Sequence, residues 1–143
     1  MVEKSCGTIP YTLCNGIAYY LLVQAKDDGY CGFPKGHVEV NESEEETAIR
    51  ETLEETSLCV LINRKFRYEM SYKMGNGNTK TVVYFLANFQ NQIPKRNKDF
   101  EDFVYLLLPF DSAIQELTFE NTRQMLKLAN DFLTNVALKA SLV

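Results

Sequence analysis

Seven of the fourteen residues from Glu42 to Glu55 are glutamates. Glu51, Glu54 and Glu55 have the spacing i, i+3 and i+4, so on a helix their carboxylates share one side. Three unpaired anions at such short range repel one another. A protein keeps them together either because water solvates all three or because they bind a hard divalent cation such as Mg²⁺ or Mn²⁺. The residue types therefore predict either a solvated acidic helix face or a metal site.

The neighbours of these glutamates suit a metal site that handles phosphate. Arg50 can pair with a carboxylate and orient it, and Glu42, just ahead of the helix, is its expected partner. Lys35 precedes Gly36 in a Gly/Pro turn that can bring backbone carbonyls and a cation to one place. A lysine there suits a phosphate oxygen. Composition alone leaves both interpretations open, because acidic helix faces are common.

The elements that must position these residues are predicted from periodicity and turn residues. Strands are expected at residues 3–14, 17–25, 38–40, 58–72, 79–89 and 103–108. Asn15-Gly16 is typical of a hairpin turn, and Pro10 indicates an edge or a bulge in the first strand. We therefore expect one domain over residues 1–143, of class α+β, with a mixed sheet covered by helices on both faces.

Helices are expected at residues 44–56, 110–115 and 118–138. Ser43 and Glu46 fit a capping box at the start of the first helix. On that helix Ile49 and Leu53 lie opposite the carboxylates, so we expect them to pack against the protein. The last helix is expected to pack on the sheet through residues that keep helical spacing, which are Met125, Leu128, Phe132 and Val136.

Composition excludes several classes of protein. Of the 143 residues, 45% are hydrophobic and 24% are charged, which indicates a globular chain rather than a disordered one. The net charge of −4 argues against a broad basic face, so we expect no stable nucleic-acid partner. Neither a secretory signal nor an apolar run of membrane-spanning length is found in the sequence. We expect a cytoplasmic monomer.

The cysteines and the histidine do not form a metal-binding pattern. No CxxC pair occurs among the four cysteines, and His37 is the only histidine, which argues against a zinc site. Because we expect an intracellular protein, all four thiols are predicted to be reduced.

The order of residues in the glutamate-rich stretch resembles the Nudix box. Gly36 is followed after five residues by Glu42, after seven more by Arg50-Glu51, and then by Glu54-Glu55 at the spacing of that family. Two positions depart from the pattern, since Ser57 replaces the second glycine and Thr52 replaces an aliphatic residue. Neither position supplies a metal ligand. Glycine after a helix often takes φ > 0, so Ser57 bears on the shape of the turn.

Beyond the box, most of the chain resembles the asymmetrical diadenosine tetraphosphate hydrolase branch of this superfamily. The similar segments are FPKGHVE, FRYEMSYKM, TKTVVYFLANF and EDFVYLLLPFDSA. Members often have tryptophan where this chain has Cys31 and Leu107, and this chain has no tryptophan. Any base stacking must therefore use tyrosine or phenylalanine.

The resemblance implies a Nudix α/β/α sandwich with a central mixed sheet and a set of site residues. Mg²⁺, or Mn²⁺ in its place, would be bound by Glu51, Glu54 and Glu55 with the carbonyl of Gly36, and Arg50 would hold Glu51. A further carboxylate would act as ligand or general base, with Glu101 as the candidate and Asp102 as its rival. The residues implied to contact substrate are Lys35, His37, Lys80, Tyr84 and Tyr72.

The implied reaction is Mg²⁺-dependent attack of water on phosphorus, which splits diadenosine tetraphosphate into ATP and AMP. Alternation places Lys80, Val82 and Tyr84 on one face of their strand, where they can form a wall for phosphate and base. Other Nudix substrates stay open, namely RNA 5′-pyrophosphate, the RNA cap and diphosphoinositol phosphates. An inactive nucleotide-binding module is a further alternative, although such modules usually lose a carboxylate of the box.

Overall fold

The computed structural model describes residues 2–95 and 103–141, and the side chains of residues 3–95 and 103–136. Within these ranges the chain forms strands and helices in the following order: β1 (Val2–Cys14), β2 (Ile17–Ala25), β3 (Cys31–Gly32), β4 (Lys35–His37), α1 (Glu44–Thr56), β5 (Leu61–Lys73), β6 (Thr79–Asn88), β7 (Phe103–Pro109), α2 (Phe110–Glu116) and α3 (Glu120–Ser141).

The strands form one sheet in the order β3-β2-β1-β6-β5, with β7 paired to β2 and β4 paired to β1. β1 and β6 run parallel, and the other pairs are antiparallel. The sheet is therefore mixed, as the sequence predicts. β5 is irregular between Asn63 and Arg67, where its register with β6 shifts.

β1 and β2 form a hairpin that opens towards its far end. Asn15 and Gly16 have φ values of 52° and 78° and close the predicted turn. β1 and β2 pair only between Tyr11↔Tyr20 and Cys14↔Ile17. Beyond that point β4 pairs with β1, and β3 pairs with β2. The short segment from β3 to β4 therefore fills the space between the two diverging strands.

The strand predicted at residues 38–40 is wrong, because the structure places a strand at Lys35–His37 instead. Its partner is β1, through the pairs from Ser5↔His37 to Gly7↔Lys35. That partner lies far away in the chain, and a Lys-Gly-His segment has no strand pattern of its own. The other predicted strands and helices begin and end within a few residues of their predicted bounds. The short strand β3 was not predicted from the sequence.

The prediction of an edge or a bulge at Pro10 is also wrong. Pro10 lies in the central strand β1 and is paired with Ala87 of β6. The N–H of Thr8 points away from β6, towards the carbonyl of Pro34. Two residues on, the nitrogen of Pro10 faces the same side, between the segments of β1 that pair with β4 and β2. The missing N–H of proline therefore costs no ladder hydrogen bond.

Helices cover both faces of the sheet, as predicted. On one face, β2 and β6 contribute Tyr20, Leu22, Val82, Tyr84 and Leu86 to a core shared with Met125, Leu126 and Ala129 of α3. On the other face, Ala48 of α1 packs with Cys6, Val83 and Phe85. The sheet with its two helical layers gives the α+β sandwich expected from the sequence.

The predicted apolar face of α3 is wrong at two of its four positions. Leu128 and Val136 are exposed, whereas Met125 is buried and Phe132 packs at 5.7 Å, between ring centroids, from Phe66. Leu126 and Ala129 occupy the buried stripe that the spacing assigned to Leu128.

None of the described helices is long and apolar enough to cross a membrane. All four cysteines are free.

Candidate active site

Local hydrogen bonds define both ends of α1, the helix that carries the glutamates. The Oγ of Ser43 accepts from the N–H of Glu46 at 3.1 Å, and the N–H of Ser43 donates to Oε1 of Glu46 at 3.2 Å. This confirms the predicted capping box. At the other end Ser57 takes a left-handed φ of 62°, and its N–H donates to the carbonyl of Leu53 at 2.8 Å. Serine therefore adopts the conformation that the box glycine would take.

The buried side of α1 is made of short side chains, which corrects the predicted face. Ile49 and Leu53 are 39% and 45% exposed, so the expectation that they pack against the protein is wrong. Short side chains let the helix approach the sheet closely, and their hydroxyls find hydrogen-bond partners. The buried residues of α1 are Thr47, Ala48, Thr52 and Thr56.

Arg50 connects most of the acidic residues of the site. Its Nε and Nη2 donate to the two oxygens of Glu42 at 2.6 and 3.0 Å, a bidentate pair. Its Nη1 lies 2.8 Å from Oε1 of Glu51 and 3.2 Å from Oε2 of Glu54. Nη2 also donates to the carbonyl of His37 at 3.0 Å. Hydrogen bonds from Arg50, and then from Thr47, lower the pKa of Glu42 to about 2.

Gly36 leaves space that the Glu51 carboxylate fills. A Cβ built on Gly36 would overlap both carboxylate oxygens of Glu51. Only glycine therefore lets the main chain of β4 approach this carboxylate. The position is required by close approach rather than by backbone conformation, since Gly36 is not among the residues with positive φ.

Glu55, one helical turn after Glu51, binds the main chain next to Gly36. The backbone N–H of Lys35 donates to Oε2 of Glu55 at 3.1 Å. The hydroxyl of Tyr105 on β7 donates to the carbonyl of Glu55. Burial, and then the charge of Glu51, raise the pKa of Glu55 to about 8. Burial also lowers the pKa of Lys35, and the neighbouring ammonium of Lys80 lowers it further.

The donor set of this site suits a hard cation. Glu51, Glu54 and Glu55 project from one side of α1 next to Gly36, and their carboxylate oxygens are ligands that Mg²⁺ prefers. Arg50 holds two of them in the described arrangement. Among the described residues, no three His, Cys, Asp or Glu side chains converge on a single point. The fit rests on the chemistry of these oxygen donors.

A cavity of about 410 Å³ opens beside these carboxylates. Lys35 belongs to its wall and also binds Glu55 through its backbone, so the cavity and the carboxylates share this residue. The lining is mostly aromatic and aliphatic, with a few polar groups. Its residues are Tyr30, Cys31, Gly32, Phe33, Lys35, Met70, Tyr72, Val82, Tyr84, Phe119, Asn121 and Thr122.

Two rings at the cavity are largely accessible. Tyr30 and Phe119 are 56% and 53% exposed, and their ring centroids are 5.4 Å apart. Tyr84 is 2% exposed and meets Phe33 edge-on at 6.2 Å. Tyr84 therefore forms an inner wall, while Tyr30 and Phe119 offer faces on which a planar ligand could stack.

The predicted substrate residues divide into those at the cavity and those beside it. Lys35, Tyr72 and Tyr84 line the cavity. Lys80 pairs with Tyr72 across β5 and β6 and lies close to Lys35. His37 is exposed, and its carbonyl binds Arg50. Glu101 and its rival Asp102 lie outside the described residues, so both stay predictions.

Sequence reasoning missed Tyr30, Phe33 and Phe119. Tyr30 and Phe33 flank the Cys-Gly pair just before Lys35, and that proximity was the available signal. Phe119 lies far along the chain and reaches the cavity because the segment before α3 binds β3. There the N–H of Cys31 donates to Oγ1 of Thr118 at 2.8 Å, and the N–H of Thr118 donates to the carbonyl of Cys31 at 3.2 Å.

A mixed sheet between helices, with a glutamate-bearing helix set against a glycine turn, is the arrangement expected of a Nudix domain. The sequence profile of the NUDIX domain matches residues 12–129. The chain therefore belongs to the NUDIX family and is a hydrolase of that family.

Comparison with individual proteins shows which members of the family this chain is similar to. The chain is 32% identical over 143 residues to the rat (Rattus norvegicus) asymmetrical bis(5′-nucleosyl)-tetraphosphatase, covering 93% of this chain and 97% of that one. It is 31% identical over 147 residues to the pig (Sus scrofa) enzyme of the same name, covering 96% and 99%. A solved Caenorhabditis elegans Ap4A hydrolase in a binary complex superposes with a TM-score of 0.83 at 27% identity, covering 93% of this chain and 98% of that chain. The chain thus resembles the asymmetrical tetraphosphatase branch.

Proposed function

We propose that this protein hydrolyses dinucleoside polyphosphates, with diadenosine tetraphosphate as its main substrate and ATP and AMP as products. The observation that carries the proposal is the position of Lys35, which lines the aromatic cavity and binds Glu55. A base in the cavity would hold the polyphosphate chain against the carboxylates of α1. The likeness to the rat and pig tetraphosphatases supports the choice of substrate.

The cavity suits one nucleoside. Its volume of about 410 Å³ lies within the usual range for small-molecule sites, roughly 300–1,000 Å³. Tyr30 and Phe119 would stack the base, in place of the tryptophans that the chain lacks. Asn121, also in the lining, offers an amide to the edge of the base.

Glu51, Glu54 and Glu55, with the carbonyl of Gly36, are the residues that we propose hold Mg²⁺, or Mn²⁺ in its place. When bound, the cation would neutralise phosphate charge and favour attack by water. Arg50 keeps Glu51 and Glu54 oriented, and Glu42 in turn keeps Arg50 in place.

Lys35 and Lys80 form the cationic wall for the phosphates. Their ammonium groups are close enough that Lys80 lowers the pKa of Lys35. A phosphate placed between them would relieve that repulsion, which favours a polyanionic ligand. Glu101 stays the proposed further carboxylate, as ligand or general base. The cytoplasmic location and the monomeric state also stay predictions.

A substrate panel with product identification tests the proposal. We expect diadenosine tetraphosphate to give ATP and AMP, with activity abolished by EDTA. Two molecules of ADP as products, or activity that EDTA leaves unchanged, would contradict it. Preferential turnover of triphosphorylated RNA, capped RNA or a diphosphoinositol phosphate would assign one of the alternative Nudix activities. Nucleotide binding in calorimetry without turnover of any substrate would indicate an inactive module.

A matched pair of variants tests the carboxylates. Glu54→Gln removes one charge from the proposed metal site and should abolish turnover without changing the thermal unfolding midpoint greatly. Glu45→Gln removes a charge from the same helix, where the carboxylate binds Arg64 on the surface. This control should retain activity. Full activity in Glu54→Gln would place the metal site elsewhere.

A further inference from the structure

Thr8 of β1 binds the two segments that build the site. Its backbone N–H donates to the carbonyl of Pro34 at 3.2 Å, directly before Lys35 and Gly36. Its hydroxyl lies 2.7 Å from the hydroxyl of Thr52 on α1. Thr8 and Thr52 are both fully buried. One residue therefore holds the glycine turn and the glutamate helix in a common frame.

The direction of the hydrogen bond between the two hydroxyls follows from proton counting. Thr52 has one hydroxyl proton, which it donates to the carbonyl of Ala48 at 2.8 Å. Thr8 must therefore be the donor to Thr52. The two residues form a short chain of hydrogen bonds from β1 into the backbone of α1.

Thr52 is well placed to set the position of the carboxylates. It follows Glu51 directly and lies about 60° from Glu55 around the helix axis, at roughly 100° per residue. A shift of α1 along β1 would move Glu51 out of the space at Gly36 and Glu55 away from the N–H of Lys35. The remaining buried hydroxyls of α1 do not reach the sheet through the hydrogen bonds described, since Thr47 binds Glu42 and Thr56 binds the carbonyl of Thr52.

We infer that Thr8 and Thr52 are positioning residues for the proposed metal site, and that their hydrogen bond replaces the aliphatic contact expected at position 52. The inference rests on the proposed function. Thr8 lies outside the Nudix box, so the motif alone does not reveal its part. The pair is matched, because the hydroxyl of Thr8 would lose its acceptor in an apolar interface if position 52 carried no hydroxyl.

Replacing Thr52 should weaken Mn²⁺ binding more than replacing Thr8 does. Thr52→Val leaves the buried proton of Thr8 without an acceptor. Thr8→Val removes only an incoming donor, because Thr52 keeps its bond to Ala48. We expect roughly 10-fold weaker binding of Mn²⁺ to Thr52→Val in calorimetry without substrate, and a smaller loss for Thr8→Val. Thr52→Ser, which keeps the hydroxyl, should bind Mn²⁺ like the wild type.

The double variant Thr8→Val/Thr52→Val completes the cycle. Replacing both hydroxyls by methyl groups of similar shape removes the unpaired donor, so the double variant should recover most of the affinity. Thr12→Val is the control for a general loss of stability. Thr12 is a buried threonine on the same strand whose hydroxyl bonds Asn91 at 2.9 Å, away from α1. It should alter thermal stability without altering Mn²⁺ affinity.

The outcomes separate this inference from the proposed function. If the wild type binds Mn²⁺ and Thr52→Val binds it equally well, the positioning role is overturned and the proposed function stands. A double variant weaker than Thr52→Val would also overturn it, because the pair would then not be matched. A wild type that binds no Mn²⁺ would overturn the metal site itself, and the positioning role with it.

Discussion

The carboxylate of Glu51 occupies the space in which a side chain on Gly36 would begin. Position 36 therefore requires glycine because of Glu51 on α1, and a substitution at Gly36 tests the contact between the two residues. Gly36→Ala should displace the carboxylate and reduce kcat/KM for diadenosine tetraphosphate by roughly 10- to 100-fold. Gly75→Ala is the control, since a Cβ on Gly75 meets no neighbour. Equal activity in both variants would show that the position of Glu51 is unimportant.

Replacing Arg50 by lysine tests its fork of hydrogen bonds. Lysine keeps the charge but cannot bind Glu42 with two nitrogens while holding Glu51 and the carbonyl of His37. We expect a loss of kcat/KM of roughly 10- to 100-fold in steady-state assays. Arg64→Lys, at an exposed ion pair with Glu45, should cost nothing measurable. Activity retained in Arg50→Lys would mean that charge alone suffices.

Phe119 tests the aromatic side of the cavity. Phe119→Ala removes an exposed ring that faces Tyr30, and it leaves the carboxylates untouched. We expect KM to rise and kcat to change little, because stacking acts on the bound base rather than on the phosphates. Leu128→Ala, at an exposed position on α3, serves as the control. A fall in kcat with unchanged KM would assign Phe119 a different part.

Ser57 offers a stability test that is independent of activity. Its φ of 62° is a left-handed conformation, which costs a residue with a side chain roughly 1–2 kcal/mol. Ser57→Gly should raise the free energy of unfolding by up to about 1 kcal/mol, after loss of the exposed bond to the Lys95 carbonyl. Denaturant unfolding measures this change. A loss of stability would show that the bond to Lys95 outweighs the backbone strain.

Glu44 links the stability of the fold to pH. Hydrogen bonds from Arg67, and then from Lys4, lower its pKa from 4.5 to about 2. A lowered pKa in the folded state contributes stability above pH 4.5, and this contribution is lost as the pH falls towards 2. Urea unfolding should therefore separate the wild type from Glu44→Gln at about pH 7 and bring them together near pH 2. Glu116→Gln, on α2, is the control. An equal gap at both pH values would contradict the assignment.

The sequence predicts elements best where the signals are local. The ends of α1 follow from Ser43, Glu46 and the turn at Ser57, and all of these act within one helical turn. β4 was misplaced because its strand character comes from pairing with β1. The buried face of α1 was predicted wrongly for a similar reason. The packing against the sheet, which the helix sequence does not show, selects short side chains at that interface. Ile49 and Leu53 therefore face outwards although they are the most apolar residues of the helix.

For the candidate site, the order of charged residues predicted more than their number did. Arg50 meets Glu42 and Glu51 in the structure, and Gly36 meets Glu51. The cavity was predicted only in part. Tyr72, Tyr84 and Lys35 line it, but Phe119 enters from a segment that no local pattern connects to β3.

The parallel pairing of β1 with β6 has a consequence for the folding of this chain. The pairs run from Val2↔Thr79 to Tyr11↔Asn88, so the glycine turn at Gly36 and the glutamate helix α1 both lie inside the loop that this pairing closes. Long-range parallel pairs form slowly, because the entropy of loop closure is lost before their contacts stabilise the chain. The hairpin of β1 and β2 and the capped helix α1 can form early. Thr8 can join the glycine turn to α1 only once β1 lies in its final place, so hydrolytic activity should return late in refolding.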